Sequence, residues 1–86
     1  MNSQQIADTV FAWATNKNFT APYGVLQGQH VNRKGNKFHS ITFGRARTLD
    51  VTVEIYNRNF IIVKTSRHGM STFKSHSELQ QFLDNL

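Results

Sequence analysis

The chain has 86 residues, ten Lys and Arg against five Asp and Glu, and no cysteine. A disulfide framework and a thiolate metal site are therefore excluded, and a domain this small buries only about 60–65% of its unfolded surface, so its core has to be compact. No stretch approaches the length of an apolar membrane span and no basic leader precedes an apolar run, so a soluble, cytoplasmic protein with no membrane partner is expected.

Residues 3–17 read as a helix. Ile6, Val10 and Trp13 recur at helical spacing, Ala7, Phe11 and Ala14 widen the stripe, and Ser3 is placed to cap the first turn. Phe11 and Trp13 on so short an amphipathic helix read as core residues rather than as anchors for a partner. Asn16, Lys17 and Asn18 end the helix, and Ala21-Pro22-Tyr23-Gly24 is a break.

Strands follow. Residues 24–31 alternate weakly, and Asn32-Arg33-Lys34-Gly35-Asn36 is a polar turn. Residues 37–43 place His39, Ile41 and Phe43 on one side; Gly44-Arg45-Ala46-Arg47-Thr48 is a basic connection. Residues 49–56 alternate most regularly, with Leu49, Val51, Val53 and Ile55 facing one way and Asp50, Thr52, Glu54 and Tyr56 the other. After Asn57-Arg58-Asn59 the run 60–65 is apolar on both faces, and its register is open: a two-residue loop pairs Ile55 with Phe60, a three-residue loop pairs Ile55 with Ile61. Ser66-Arg67-His68-Gly69 turns into a short strand at 70–74. Ser75 and Glu78 then have capping-box spacing, and Leu79, Phe82, Leu83 and Leu86 form one helical stripe. The expected fold is α+β: helix, four- to five-stranded antiparallel meander, helix, with both helices on one face of the sheet.

Charge is distributed unevenly over that order. Between residues 33 and 74 stand Arg33, Lys34, Lys37, Arg45, Arg47, Arg58, Lys64, Arg67 and Lys74 against Asp50 and Glu54, a net +7, whereas Asp8, Glu78 and Asp84 lie in the predicted helices. A positive sheet beside mildly acidic helices concentrates polyanions at one surface. In a meander alternate turns share an end, so the 32–36 and 57–59 turns make one positive rim and the 44–48 and 66–69 turns the other. The candidate nucleic-acid contacts are Arg33, Lys34, Lys37, Arg45, Arg47, Arg58, Lys64 and Arg67, with Tyr56 and one of Phe38 or His39 as rings on which bases can stack. Asp50 and Glu54 share the face of Tyr56 and repel phosphate unless they are paired, so the turns are favoured over the sheet centre.

His30, His39, His68 and His76 lack metal-ligand spacing, and no cofactor or metal is expected. His39 and His68 lie in the basic region and are the candidates for proton transfer if the chain were a metal-independent ribonuclease. No paired carboxylates, nucleophile elbow or phosphate-binding loop is found, and Gly24, Gly28, Gly35, Gly44 and Gly69 read as turn and bulge residues. A non-enzymatic role is expected.

Helix, antiparallel strands, helix resembles the order of double-stranded-RNA-binding domains, although the last helix opens Ser75-His76-Ser77-Glu78 rather than with lysines. Arg33-Lys34-Gly35-Asn36-Lys37-Phe38-His39 resembles the Lys-Gly-Ser-His stretch of HicA-type mRNA interferases, but Asn36 and Lys37 stand where that family has its Ser-His pair. In being short, basic, cysteine-free and rich in Asn and Phe, the chain also resembles the small basic early proteins of T-even-type phages, including RNA-binding toxin inhibitors of the TifA type. That resemblance implies an RNA-assisted inhibitor of a host toxin or ribonuclease, acting in the host cytoplasm.

The expectation is thus a single nucleic-acid-binding domain over residues 1–86, with RNA ahead of DNA, affinity dominated by phosphate neutralisation and little sequence preference. The alternatives are an inhibitor that docks an acidic host protein and a small ribonuclease. Open sheet edges leave room for a homodimer.

Overall fold

Each local signal becomes an element in the computed structural model, which describes residues 1–19, 24–45 and 47–86. Helix α1 spans Ser3–Asn16. Asn2, not Ser3, is its N-cap: the Asn2 side chain accepts from Gln5 N and the Gln5 side chain accepts from Asn2 N, both at 2.9 Å. The cap sits one residue earlier than expected because Gln5, at the third helical position, completes the reciprocal pair with Asn2. The break expected at Ala21-Pro22-Tyr23 lies outside the described residues, as does Ala46 in the basic connection.

Five strands follow: β1 Leu26–Val31, β2 Lys37–Arg45, β3 Leu49–Asn57, β4 Phe60–Thr65 and β5 Gly69–Phe73. They form one antiparallel sheet in the order β1-β2-β3-β4-β5, a plain meander. The open register question at the β3–β4 turn resolves as Ile55 opposite Ile61 and Asn57 opposite Phe60, with a bulge at Tyr56. This register keeps Val51, Val53, Ile55, Ile61 and Val63 on one face, as the hydrophobic pattern demands. Helix α2 spans His76–Asp84 and is capped by Ser75, whose hydroxyl accepts from Glu78 N at 3.2 Å. The Glu78 carboxylate reaches one residue further back than a capping box requires and accepts from Lys74 N.

Both helices cover the same face. Ile6, Ala7, Val10 and Ala14 of α1 and Leu79 and Leu83 of α2 form one buried cluster with Ile41, Phe43, Val51, Val53, Ile55, Ile61 and Val63 of the sheet. Trp13 packs edge-on against Phe43 at 5.7 Å between centroids, and Phe11 lies half-buried against the same cluster, as core residues should. Two of the five glycines depart from their expected turn or bulge role. Gly28 and Gly44 lie inside regular strands, where the space a Cβ would take is occupied: by the His30 ring at Gly28 and by the Leu49 carbonyl at Gly44. No described helix is long and apolar enough to cross a membrane.

Candidate nucleic-acid interface

With both helices on one face, the other face of the sheet is bare among the described residues. Period-two alternation sends His30 of β1, Phe38 of β2, Tyr56 of β3 and Phe60 of β4 to that face. His30 is paired with Phe38 in the ladder, and one further step along the β2–β3 register puts Tyr56 opposite Phe38. The bulge then sets both Tyr56 and Asn57 against Phe60. The outcome is an unbroken row of four rings across four strands. Centroids lie 5.4 Å apart from His30 to Phe38, 4.9 Å from Phe38 to Tyr56 and 5.3 Å from Tyr56 to Phe60.

Those spacings match the separation of neighbouring strands. The planes are tilted by only 30–40°. Rings that close and that nearly parallel are offset-stacked on one another, since coplanar rings side by side cannot approach so near. The row is therefore a shingle, with outward edges and two terminal rings available to a ligand. Phe60 at one end is 41% exposed, a large value for a phenylalanine on a strand. His30 at the other end lies over Gly28 and meets the Ser40 hydroxyl at 2.9 Å. Gly28 has no side chain, and that absence lets the imidazole lie down.

The cations divide between the two ends of the sheet as the meander requires. At the 66–68 end two of the three arginines are engaged in the fold. Arg45 lies 4.6 Å from the Phe19 ring centroid and Arg67 Nε donates to the Thr48 carbonyl, while Arg47 holds a left-handed φ of 68° in the turn. At the 32–36 end Arg33, Lys34, Lys37 and Arg58 are exposed, and their side chains make no hydrogen bond or ion pair among the described residues. The N-terminus of α1 lies at this end too, sharing a surface with Asn57 and Arg58, and α2 starts from it after β5. Two helix N-termini add partial positive charge on the covered side.

Glu78 lies at this end on the covered side, where it accepts from Lys74 N, but the two acids of the sheet are kept out of the groove on the bare face. Lys64 Nζ lies 3.2 Å from Glu54 Oε2 and offsets its charge, and the Tyr56 hydroxyl donates to Glu54 Oε1 at 3.4 Å, so the acid nearest the ring row has a partner on each oxygen. Asp50 pairs with Gly44 in the ladder and stands at the far end. What is left beside the rings is a groove of about 670 Å³ lined by Asn32, Arg33, Lys34, Asn36, Lys37, Tyr56, Asn57, Phe60 and Ile62, with no carboxylate among them.

Of the ten candidate residues, the structure thus gathers Arg33, Lys34, Lys37 and Tyr56 around one groove, with Arg58 at the same end. Arg45, Arg47 and Arg67 lie at the opposite end, and Lys64 is spent on Glu54. His39 belongs to the covered side, in the alternation that buries Ile41 and Phe43; Phe38, not His39, is the ring beside Tyr56. His39 and His68 fall at opposite ends of the sheet, the latter edge-on to Phe82 at 5.8 Å, so they share no site. Among the described residues no three His, Asp or Glu come together in a way that could hold a metal ion. His30 and Phe60 were missed from sequence. Phe60 carried a signal, because 60–65 is apolar on both faces and one of those faces has no helix to cover it. Comparison with protein-family models, curated proteins and solved structures gives no match for this chain.

Proposed function

We propose that this protein binds single-stranded nucleic acid on the bare face of its sheet, at the end that carries the 32–36 and 57–59 turns. One observation carries the reading: an uncovered row of aromatic rings borders a groove whose charged residues are Arg33, Lys34 and Lys37, without an acid. Cations attract the phosphate backbone and release its counterions, while rings take up bases irrespective of sequence, each stacked base contributing about 1–3 kcal/mol. Bases have to be unpaired to reach a ring, which favours single strands over duplex. RNA is the first candidate because cellular RNA displays unpaired loops and ends, whereas cellular DNA is largely duplex. The likeness to small basic phage proteins supports a role for such binding in restraining an RNA-cleaving host toxin.

Fluorescence anisotropy with a labelled 12-nucleotide RNA at low salt tests the reading. Wild-type protein is expected to bind, and the Tyr56→Ala/Phe60→Ala variant to lose at least about tenfold in affinity, one stacked base's worth. Equal affinity for the variant, or no binding by wild-type protein, overturns it.

A further inference from the structure

The groove beside the rings is lined by asparagines as well as cations, and two of these amides are oriented by the turns they build. Asn32 Oδ1 accepts from Lys34 N at 2.9 Å and from Asn36 N at 3.0 Å. Asn57 Oδ1 accepts from Asn59 N at 2.8 Å. Only the oxygen of an amide can accept from a backbone N–H, so these bonds fix which end of each side chain is which. Asn32 Oδ1 is saturated by its two bonds and Asn57 Oδ1 keeps one lone pair; in both side chains Nδ2 is a donor without a partner among the described residues. Arg33, Lys34 and Lys37 add donors only. The Tyr56 hydroxyl is turned toward Glu54, and Glu54 is held by Lys64 outside the groove lining. Asn36, exposed and not anchored through its side chain, can present either end and supplies no bias.

Donors set against the exocyclic group at pyrimidine C4 or purine C6 distinguish bases by the group carried there. Uracil carries a carbonyl where cytosine carries an amino group, and guanine carries a carbonyl where adenine carries an amino group. An amino group facing Asn32 or Asn57 Nδ2 sets donor against donor and leaves both unpaired, which costs more than a missing bond. We infer that the groove selects keto bases, uracil and guanine, over amino bases, cytosine and adenine, and that Asn32 and Asn57 are the selecting residues. The inference rests on the nucleic-acid reading above and adds a modest base preference to it.

Uracil and cytosine decamers make the cleanest comparison, since both are weakly stacking pyrimidines on the same backbone. Anisotropy with fluorescein-labelled rU10 and rC10 at neutral pH and one low salt concentration is expected to show rU10 bound about fivefold more tightly or better. In the Asn32→Asp/Asn57→Asp variant each carboxylate keeps the turn's acceptor oxygen and presents a second acceptor instead of a donor. Both affinities fall with the added negative charge, and the rU10:rC10 ratio drops to one or below. The melting temperature of the variant checks that its turns hold; should the pair fail to fold, Asn32→Asp alone is expected to lower the ratio. A ratio of one in wild-type protein, or an unchanged ratio in the folded variant, overturns the inference while leaving the binding site standing. No binding to either decamer at low salt removes the nucleic-acid reading as well.

Discussion

Lys64 and Glu54 meet diagonally at 3.2 Å on the bare side of the sheet, on neighbouring strands and two residues off direct opposition. Lys64 is half-exposed and Glu54 is only 13% exposed, so the pair matters less for stability than for what it does to the surface potential. With the lysine half in water, the pair contributes about 1 kcal/mol or less to folding. Lys64→Ala is therefore expected to leave the melting temperature nearly unchanged but to weaken RNA binding, because it uncovers a carboxylate close to the ring row. Adding Glu54→Gln should restore the affinity. Failure of the second change to rescue the first would show that Lys64 contacts the ligand directly.

Salt dependence separates the two ends of the sheet. Replacing Arg33, Lys34 and Lys37 together by serine is expected to lower the slope of log K against log salt by about 2, at roughly 0.7 per phosphate contact on a single strand. The matching triple change at Arg45, Arg47 and Arg67 should alter that slope much less, since Arg45 and Arg67 are engaged with Phe19 and Thr48. Anisotropy titrations across a salt series read both values.

Much of this arrangement is legible in the sequence, and the missing parts have identifiable reasons. Alternation at 49–56 and the helical stripe at 79–86 specify both the elements and the faces they bury, which is why the layer order follows from them. The β3–β4 register could not be read, because residues 60–63 are apolar on both faces and either loop length brings a hydrophobic set to the core side. Basic residues were visible, but their partners were not. That Lys64 neutralises Glu54, or that Arg45 covers Phe19, depends on cross-strand and helix–sheet proximity that no local spacing encodes. The ring row escaped for the same reason: its four members are spread over residues 30–60 and meet only through three ladders.

Gly44 tests the packing of the β2–β3 hairpin. A Cβ there would stand 2.2 Å from the Leu49 carbonyl oxygen, which is backbone and cannot swing aside. Gly44→Ala is expected to destabilise the protein by about 1–3 kcal/mol or more, seen as a large fall in thermal midpoint. Gly28→Ala crowds the movable His30 ring at 3.0 Å and makes ordinary contact with Ser40 Oγ at 3.6 Å. It should cost little stability yet displace the imidazole from Ser40, which the His30 side-chain resonances would report.

The helix start can be checked by a pair of substitutions. Asn2→Ala removes an acceptor for Gln5 N and should cost about 1 kcal/mol in chemical denaturation. Ser3→Ala should be nearly neutral, because Ser3 lies inside the first turn and its hydroxyl makes no hydrogen bond among the described residues.

Titrating ¹⁵N-labelled protein with rU10 at low salt, and following every backbone amide, tests the placement of the interface most directly. The largest shifts should fall at Gly28, His30, residues 32–38, Tyr56, Asn57, Phe60 and Ile62, with α1, α2 and the 66–68 end unmoved. Shifts centred on the helices or on residues 45–48 and 66–69, or a spectrum that does not change, would contradict it.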